Sequence, residues 1–226
     1  MVKNASNYTD PGVLDNKVVE WLARIRSWVK PRPYLQLQPD RCALVVVDML
    51  HYFASPEGRA YLPASRPIVA RISALIRAWR KLGHPVIFTR HCHEGKNDLG
   101  MMGKFFGDHI RCGELESHII PALSPVDGEP VLRKNTYDAY HGTMLDDILR
   151  KGGFTQVLLT GVLTHMCVET TARTSFVRGY EVYVPADATA SSAEQLHVNS
   201  LLSMADSVAM VTSTVEVLER CRKKQS

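Results

Sequence analysis

Short apolar runs recur between residues 42 and 212, and polar or glycine-containing segments separate them. Continuous runs of this length are typical of strands that are buried on both faces of a sheet. They predict six strands, at residues 42–48, 84–90, 130–134, 156–161, 180–187 and 207–212. The segments between them carry apolar residues at helical spacing, which predicts helices such as 66–82 and 165–178.

Strands that alternate with helices favour an α/β fold with three layers, in which helices cover both faces of a mostly parallel, six-stranded sheet. A further amphipathic helix is predicted at residues 13–29, before the segment PRPYLQLQP interrupts the pattern. We therefore divide the chain into an N-terminal arm, residues 1–38, and a single domain, residues 39–226. The arm either packs on a neighbouring subunit or folds back on its own chain, and the sequence leaves both alternatives open.

One helix start carries a specific sequence signal. Ser191 followed by Glu194 forms a capping box ahead of the helix that contains Leu201 and Leu202. In such a box the two side chains each accept a hydrogen bond from a backbone N–H at the start of the helix. We therefore expect both side chains to turn toward their own backbone.

Composition and charge exclude several classes of protein. Of the 226 residues, 45% are hydrophobic and 22% are charged, which fits a folded globular chain rather than a disordered one. The net charge is +4 and the basic residues are scattered, so we expect no nucleic-acid partner. The apolar runs are far shorter than a membrane span, and the polar start MVKNASNYTDPG contains no hydrophobic signal core. We expect a cytoplasmic protein without a membrane partner.

The cysteines add a constraint on redox chemistry. There are five of them, widely spaced and without a CxxC pair: Cys42, Cys92, Cys112, Cys167 and Cys221. An odd number at such spacing argues against a disulfide framework and against a structural zinc site, and it fits a reducing compartment. One of these thiols is then a candidate nucleophile.

Three reactive side chains lie at the predicted strand ends. Asp48 closes the first strand, Lys134 closes the third, and Cys167 follows the fourth at the start of a helix. Ligands of parallel sheets bind beyond the carboxyl ends of the strands, so these groups are expected to share one cleft. A helix start and a nearby ammonium both lower the pKa of a thiol, and a carboxylate can accept its proton. Each residue also has a plain structural alternative: a cap, a solvated lysine or a packed cysteine.

The segments around these residues resemble those of a known family. LLTGVLTHMCVETTARTSFVRGYEVYVPADATAS, ALVVVDM and VLRKNTYDAYHGTMLDDILR are similar to three blocks of the isochorismatase-like cysteine hydrolase superfamily. That superfamily includes nicotinamidases, N-carbamoylsarcosine amidase and isochorismatases. The nucleophile block reads Gly161 to Val168 here, and the order Asp, Lys, Cys is the family's. The resemblance covers roughly residues 40–218 and implies an isochorismatase-like, Rossmann-like fold.

The resemblance also implies roles for individual residues. It makes Cys167 the nucleophile, with Asp48 and Lys134 as its catalytic partners, and it implies a cis peptide bond between Val162 and Leu163. The backbone N–H groups of Leu163 and Cys167 would then form the oxyanion hole. The implied reaction is hydrolysis of a C–N bond in a small amide or carbamoyl compound through a thioester. No cofactor is implied.

Two departures from the family's patterns bear on the chemistry. Nicotinamidases hold a metal through an Asp-x-His pair and a later His, and the segment HYFASPEGRAYLP lacks this pattern. His91 and His93 have ligand-like spacing, but no carboxylate accompanies them in the expected order, so we expect no catalytic metal. Isochorismatases that cleave a vinyl ether look like members of the superfamily in which a non-nucleophilic residue replaces the cysteine. This chain has Cys167 at that position, which favours amide chemistry.

The substrate pocket and the assembly are less closely defined by the sequence. Phe53, Arg90, Tyr140 and His165 are candidates for the pocket that receives a small-molecule substrate. We expect a homo-oligomer, a dimer or a tetramer, with the arm as a candidate for its interface. Two other functions stay open: a vinyl ether hydrolase that uses Asp48 as general acid, and a non-catalytic module that serves oligomer contacts.

Overall fold

A parallel sheet forms the centre of the molecule. The structure is a computed structural model and describes residues 6–10 and 12–223. Among these residues there are seven strands: β1 (Cys42–Val47), β2 (Val86–His91), β3 (Val131–Lys134), β4 (Gln156–Val162), β5 (Glu181–Pro185), β6 (Thr189–Ala190) and β7 (Ala209–Thr212). They run in the order β3-β2-β1-β4-β5-β7, with β6 paired to β4, and every pairing between them is parallel. The predicted fold class is confirmed, and the additional strand, β6, has only two residues and so leaves no pattern in the sequence.

Helices cover both faces of the sheet. The α-helices of the described chain are α1 (Leu14–Trp28), α2 (His51–Ala54), α3 (Ser65–Lys81), α4 (Gly100–Phe106), α5 (Leu145–Lys151), α6 (Glu169–Val177), α7 (Glu194–Ser207) and α8 (Thr214–Lys223). Each residue of β1 and of β4 is buried, because helices lie against both sides of these central strands. Two apolar clusters result, one on each face. The continuous apolar runs in the sequence follow from this double burial.

The helix of the N-terminal arm packs on its own chain. The apolar stripe of α1 is buried in the same cluster as β1 and β4; its members are Leu14, Val18, Trp21, Leu22 and Ile25. Beyond the helix, the Gln38 N–H donates to Gln156 Oε1 at 2.7 Å, which ties the arm to the first residue of β4. Of the two alternatives for the arm, the structure therefore shows the one in which it folds back. The domain boundary at residue 38 and a role of the arm at an interface stay predictions.

The predicted capping box is wrong. Helix α7 begins at Glu194 without a side-chain cap. Ser191 Oγ lies 2.5 Å from His165 Nδ1, and Glu194 accepts hydrogen bonds from Lys17 and Trp21 of the arm. Long-range partners thus outcompete the local backbone for both side chains.

A disulfide joins Cys92 to Cys112, which the sequence did not lead us to expect. Cys92 directly follows β2, and its neighbour His93 pairs with Arg111 in an isolated parallel bridge. This pairing brings residues separated by twenty positions in the chain to a Cα–Cα distance of 5.0 Å. Cys42, Cys167 and Cys221 are free and buried. The expectation failed because the pairing depends on a loop contact and not on the spacing of the cysteines.

The helices carry no sign of a membrane span. Within residues 6–10 and 12–223, none of them has the length and apolarity that crossing a bilayer requires.

Gly161 allows β4 to approach β1 next to the strand ends. Its φ is +100°, and a Cβ atom at this position would lie 2.0 Å from the carbonyl oxygen of Val47. Real Cβ atoms do not come so close to backbone oxygen, so a larger residue would push the two strands apart. Because Asp48 follows Val47, this contact also sets the distance between Asp48 and the segment after β4.

Replacing Gly161 with Ala should therefore cost much more stability than replacing Gly153. Gly153 also has a positive φ, +69°, but a Cβ there meets no atom within 4 Å. We expect Gly153→Ala to lower the free energy of unfolding by about 1 kcal/mol, because only backbone strain is added. Gly161→Ala should lower it by about 3 kcal/mol or more, because overpacking adds to the strain. Urea denaturation of both variants measures this, and equal losses would contradict the close approach.

Candidate active site

Asp48 is held in a rigid position just beyond β1. Its backbone N–H donates to Thr89 Oγ1 at 3.1 Å, and the same hydroxyl donates to Asp48 Oδ1 at 2.7 Å. The residue has a φ of +50°, a left-handed conformation that few non-glycine residues adopt. Asp48 is completely buried, so its second carboxylate oxygen needs a partner within the protein.

Lys134 supplies that partner from the end of β3. Its Nζ lies 2.7 Å from Asp48 Oδ2, and both side chains are shielded from solvent. The same ammonium donates to the carbonyl oxygen of Thr136 at 2.9 Å and to Cys167 Sγ at 3.3 Å. Lys134 therefore touches both the carboxylate and the sulfur, and the three residues predicted from the strand ends lie together.

Cys167 lies in the turn between β4 and α6. Residues Thr164–Val168 form one wide helical turn, which we call the nucleophile turn, and its Val168 N–H donates to the Leu163 carbonyl at 3.2 Å. The peptide bond between Val162 and Leu163 is cis, as the resemblance implied. Cys167 is 5% exposed, whereas Cys42 is 0% exposed, so a small part of its surface faces solvent.

The buried ion pair keeps both of its members charged. Burial by itself raises the pKa of Asp48, but Lys134 and the Thr89 hydroxyl outweigh it and hold the pKa below its ordinary value. Burial likewise lowers the pKa of Lys134, but Asp48 and Cys167 outweigh it and raise that pKa. At neutral pH the pair is a carboxylate and an ammonium.

Burial dominates the titration of the sulfur. Burial raises the pKa of the Cys167 thiol to about 12; Asp48 adds to the rise and Lys134 opposes it. Lys134 lowers this pKa, as expected, but burial outweighs its effect, so we expect a thiol rather than a thiolate in the resting protein. A thiol beside an ionised carboxylate can instead lose its proton to that carboxylate at the moment of attack.

The ligand atoms around these groups do not form a metal site. Within the described parts of the chain, one group of three such atoms lies within 4.8 Å, and it comes from Asp48, His91 and Cys167. The Lys134 ammonium lies among them, 3.3 Å from His91 Nδ1 and equally far from Cys167 Sγ. A fixed positive charge there repels a second cation, so these residues do not fit a metal. That no metal takes part stays a prediction.

His91 and His93 form a hydrogen-bonded pair beside Lys134. Their Nε2 atoms are 3.1 Å apart, and His93 Nδ1 lies 3.0 Å from the carbonyl oxygen of Asp98. Burial, followed by the charge of Lys134, lowers the pKa of His91 to about 3, and burial lowers the pKa of His93 as well. Both rings are therefore neutral near pH 7, and the pair adds no charge to the site.

The structure does not bring two of the predicted pocket residues to the three groups. Thr89 and His91 reach Asp48 and Lys134 from one face of β2, so the alternation of a strand directs Arg90 to the other face. Tyr140 is buried, with its hydroxyl 2.8 Å from Ser175 Oγ and its ring stacked on that of Tyr180. Ser175 belongs to α6, and Tyr180 directly precedes β5.

Of the other two predicted pocket residues, His165 lies in the nucleophile turn and Phe53 lies in α2. His165 belongs to the turn, and its Nδ1 is tied to Ser191. Phe53 is half-buried in α2, two helical positions after His51, with its ring 4.8 Å from that of Tyr52. Their role in binding a substrate stays a prediction.

Two further side chains at the site, Thr89 and Tyr137, were not predicted, and His91, noted for its ligand-like spacing with His93, contacts Lys134. Thr89 and His91 contact Asp48 and Lys134, and Tyr137 lies close enough to Cys167 for burial and the sulfur to raise its pKa. Phe106 packs edge-on against Tyr137 at 6.4 Å. The sequence does hold a signal for Thr89 and His91, because polar residues end an otherwise apolar strand and positions 89 and 91 share one face of it.

Comparison with known proteins gives one family throughout. Residues 42–216 match the family model described as the isochorismatase domain. The chain is 38% identical over 166 residues to "Nicotinamidase 3" of Arabidopsis thaliana, which covers 72% of this chain and 80% of that protein. A cysteine hydrolase from Pseudomonas syringae pv. phaseolicola 1448A has a similar structure, with a TM-score of 0.82, 30% identity, and coverage of 86% of this chain and 98% of that one. N-carbamoylsarcosine amidase from Thermoplasma acidophilum gives a TM-score of 0.69 at 30% identity, with coverage of 77% and 96%.

The protonation of Cys167 can be tested by alkylation. Because Asp48 raises the pKa of the thiol and Lys134 lowers it, Asp48→Asn should lower this pKa and raise the small fraction of thiolate that lies beside Lys134. Removing one adjacent charge shifts a pKa by about one to three units, so alkylation by iodoacetamide near neutral pH should accelerate about tenfold or more. Intact mass with a Cys167→Ala control assigns the label. An unchanged or slower rate in Asp48→Asn would contradict the protonated thiol.

Proposed function

The chain belongs to the isochorismatase family, and from this premise we propose that it is a cysteine hydrolase that cleaves a C–N bond of a small amide or carbamoyl compound. The observation that carries the proposal is the shared contact of Lys134 Nζ with Asp48 Oδ2 at 2.7 Å and with Cys167 Sγ at 3.3 Å. An acid–base group and a nucleophile in one buried site are what amide hydrolysis through a covalent intermediate needs.

In the first half of the proposed reaction, Asp48 accepts the thiol proton as Cys167 Sγ attacks the carbonyl carbon. The C–N bond then breaks, and Asp48 returns the proton to the departing ammonia or amine. An amide and a thiol thus become a thioester and an amine. Lys134 supports this half because its ammonium keeps Asp48 ionised in the resting protein and then faces the sulfur while negative charge passes through it.

In the second half, Asp48 accepts a proton from water as the water oxygen attacks the thioester. The C–S bond then breaks, and Asp48 returns the proton to the departing sulfur. The thioester and water thus become a carboxylic or carbamic acid and the free thiol, which is the starting state. In both halves we propose that two backbone N–H groups bind the oxyanion: that of Leu163, just before the nucleophile turn, and that of Cys167, within it. Preorganised donors of this kind stabilise a developing oxyanion without reorganisation.

Amide chemistry is favoured over cleavage of a vinyl ether. A vinyl ether hydrolase would need Asp48 as a proton donor in the resting state, whereas Lys134 holds the pKa of Asp48 below its ordinary value. The names of two similar proteins, a nicotinamidase and N-carbamoylsarcosine amidase, also refer to C–N bonds. A homo-oligomeric assembly, a cytoplasmic location and the absence of a nucleic-acid partner stay predictions.

The pH dependence of the proposed activity follows from the pKa shifts. Activity needs Asp48 ionised, and its pKa is lowered, so kcat/KM should fall only as the pH drops below the ordinary carboxyl range. At high pH, the thiol with a pKa of about 12 and the raised pKa of Lys134 place no titration near neutrality. We expect kcat/KM to be flat from about pH 5 to about pH 9. A basic limb near the ordinary thiol pKa would contradict this assignment.

Replacement of Cys167 separates the candidate functions. Cys167→Ala should reduce ammonia release from an active amide by about a thousandfold or more, because the nucleophile is lost. The panel comprises nicotinamide, ureido compounds and carbamoylated amines, with isochorismate assayed in parallel. Cys221→Ala is the matched control, because Cys221 is also a buried free cysteine but lies on α8.

Two results would contradict the proposal. If Cys167→Ala cleaves isochorismate at the wild-type rate and Asp48→Asn does not cleave it, the protein carries out the vinyl ether reaction instead. No turnover of any compound by the wild-type protein would favour a non-catalytic module. A thioester adduct on Cys167, trapped by acid quench and seen by mass spectrometry, would support the proposed pathway directly.

A further inference from the structure

The N-terminal arm lies outside residues 42–216, which match the family model, yet it contacts the segments that hold the nucleophile turn. Its Tyr8 and Trp21 contact Ser191, just after β6, and Glu194 and His197 of α7. Two routes of contact lead from the arm to the first two residues of the turn, Thr164 and His165.

The first route consists of hydrogen bonds. The backbone N–H of Ser191 donates to Tyr8 Oη at 2.9 Å, and Ser191 Oγ lies 2.5 Å from His165 Nδ1. Ser191 is 1% exposed, so its N–H depends on Tyr8 rather than on bulk water. The adjacent N–H of Ser6 donates to the Ser192 carbonyl at 2.9 Å, which aligns the arm with this segment. Burial raises the pKa of Tyr8, so its phenol stays neutral.

The second route consists of ring contacts that end on Thr164. His197 is completely buried, with its ring 4.8 Å from that of Trp21 and 5.8 Å from that of Tyr8. Its Nδ1 lies 2.8 Å from Thr164 Oγ1. The arm therefore packs against the ring whose other side holds the start of the nucleophile turn.

An ion pair keeps the arm in register with these contacts. Lys17 Nζ lies 2.8 Å from Glu194 Oε1, and the Trp21 indole N–H donates to the same oxygen at 2.9 Å. Glu194 is the first residue of α7 and is one helical turn from His197. Both residues of the misread capping box, Ser191 and Glu194, thus serve to bind the arm.

We propose that Tyr8 of the arm is a positioning residue for Cys167. Its hydroxyl fixes Ser191, Ser191 fixes His165, and His165 is two residues before the nucleophile in a single turn. The inference rests on the proposed function, since it concerns the efficiency of the same nucleophile. The N-terminal arm, which lies outside the matched family domain, would thus help to place the sulfur against Lys134.

Tyr8→Phe tests this, and Tyr34→Phe is the matched control. Tyr34 lies on the same arm and is 77% exposed, so the control loses a hydroxyl from the same segment. Loss of one hydrogen bond in the route should lower kcat by about three- to tenfold, with KM changed less than kcat. Tyr34→Phe should match the wild type. A kcat in Tyr8→Phe equal to that of the control, in a wild-type protein that does hydrolyse an amide, would overturn the inference while leaving the proposed function intact.

A double-mutant cycle distinguishes positioning from general loss of stability. Ser191→Ala removes the contact with His165 but leaves the Ser191 N–H bonded to Tyr8, so it also carries the test if Tyr8→Phe unfolds at the assay temperature. If both act through one route, the double variant should lose no more activity than the more affected single variant. Multiplicative losses in kcat would show two independent effects and would overturn the route.

Alkylation of Cys167 tests the inference without a substrate, so it applies even if the proposed function is wrong. Both tyrosine variants are also made in the Asp48→Asn background, and the alkylation rate of Cys167 is measured there. A displaced turn weakens the contact of 3.3 Å between Lys134 Nζ and Cys167 Sγ, so Tyr8→Phe should slow alkylation about threefold or more relative to Tyr34→Phe. Equal rates would overturn the inference, whatever the wild-type protein does on the amide panel.

Discussion

The buried ion pair between Lys134 and Asp48 is the interaction on which the rest of the site depends. Both side chains are shielded from solvent, and their charges are 2.7 Å apart. Removing either charge would leave the other unpaired in the interior, which costs several kcal/mol. The pair joins the end of β1 to the end of β3, across the intervening strand β2, which contributes Thr89 and His91 to the same site. The sheet order thus brings together charges that are distant in sequence.

This pair also decides how the cysteine works. The ammonium alone would favour a thiolate, but the burial of the sulfur, together with the carboxylate beside it, outweighs that effect and raises the pKa of Cys167 to about 12. A protonated thiol is unreactive until a base accepts its proton, and Asp48 is the base at hand. The proton that leaves the sulfur is then the one that the leaving amine receives, so a single carboxylate serves as base and then as acid. The net charge of the proposed site is therefore the same before the attack and after the amine leaves.

The sequence predicted the parts of this arrangement that follow from strand patterns. Buried strands leave continuous apolar runs, and Asp48 and Lys134 stand where two of those runs end. What it missed depends on contacts between distant segments. Ser191 and Glu194 have the spacing of a helix cap but bind His165 and the arm, and the disulfide between Cys92 and Cys112 follows from a loop pairing. The sequence indicated that Lys134 lowers the pKa of the thiol, but the burial that outweighs this effect depends on three-dimensional packing.

We expect Cys167 to rest as a thiol between a carboxylate and an ammonium, because burial outweighs the effect of Lys134 on its pKa. The ultraviolet absorbance of the thiolate, taken as the difference between the wild-type protein and Cys167→Ala over a pH titration, measures this directly. Because burial raises the pKa of Cys167 to about 12, we expect no thiolate signal from Cys167 between about pH 6 and about pH 9. A thiolate signal that titrates below the ordinary thiol pKa would contradict it and would return the site to a preformed ion pair between Cys167 and Lys134.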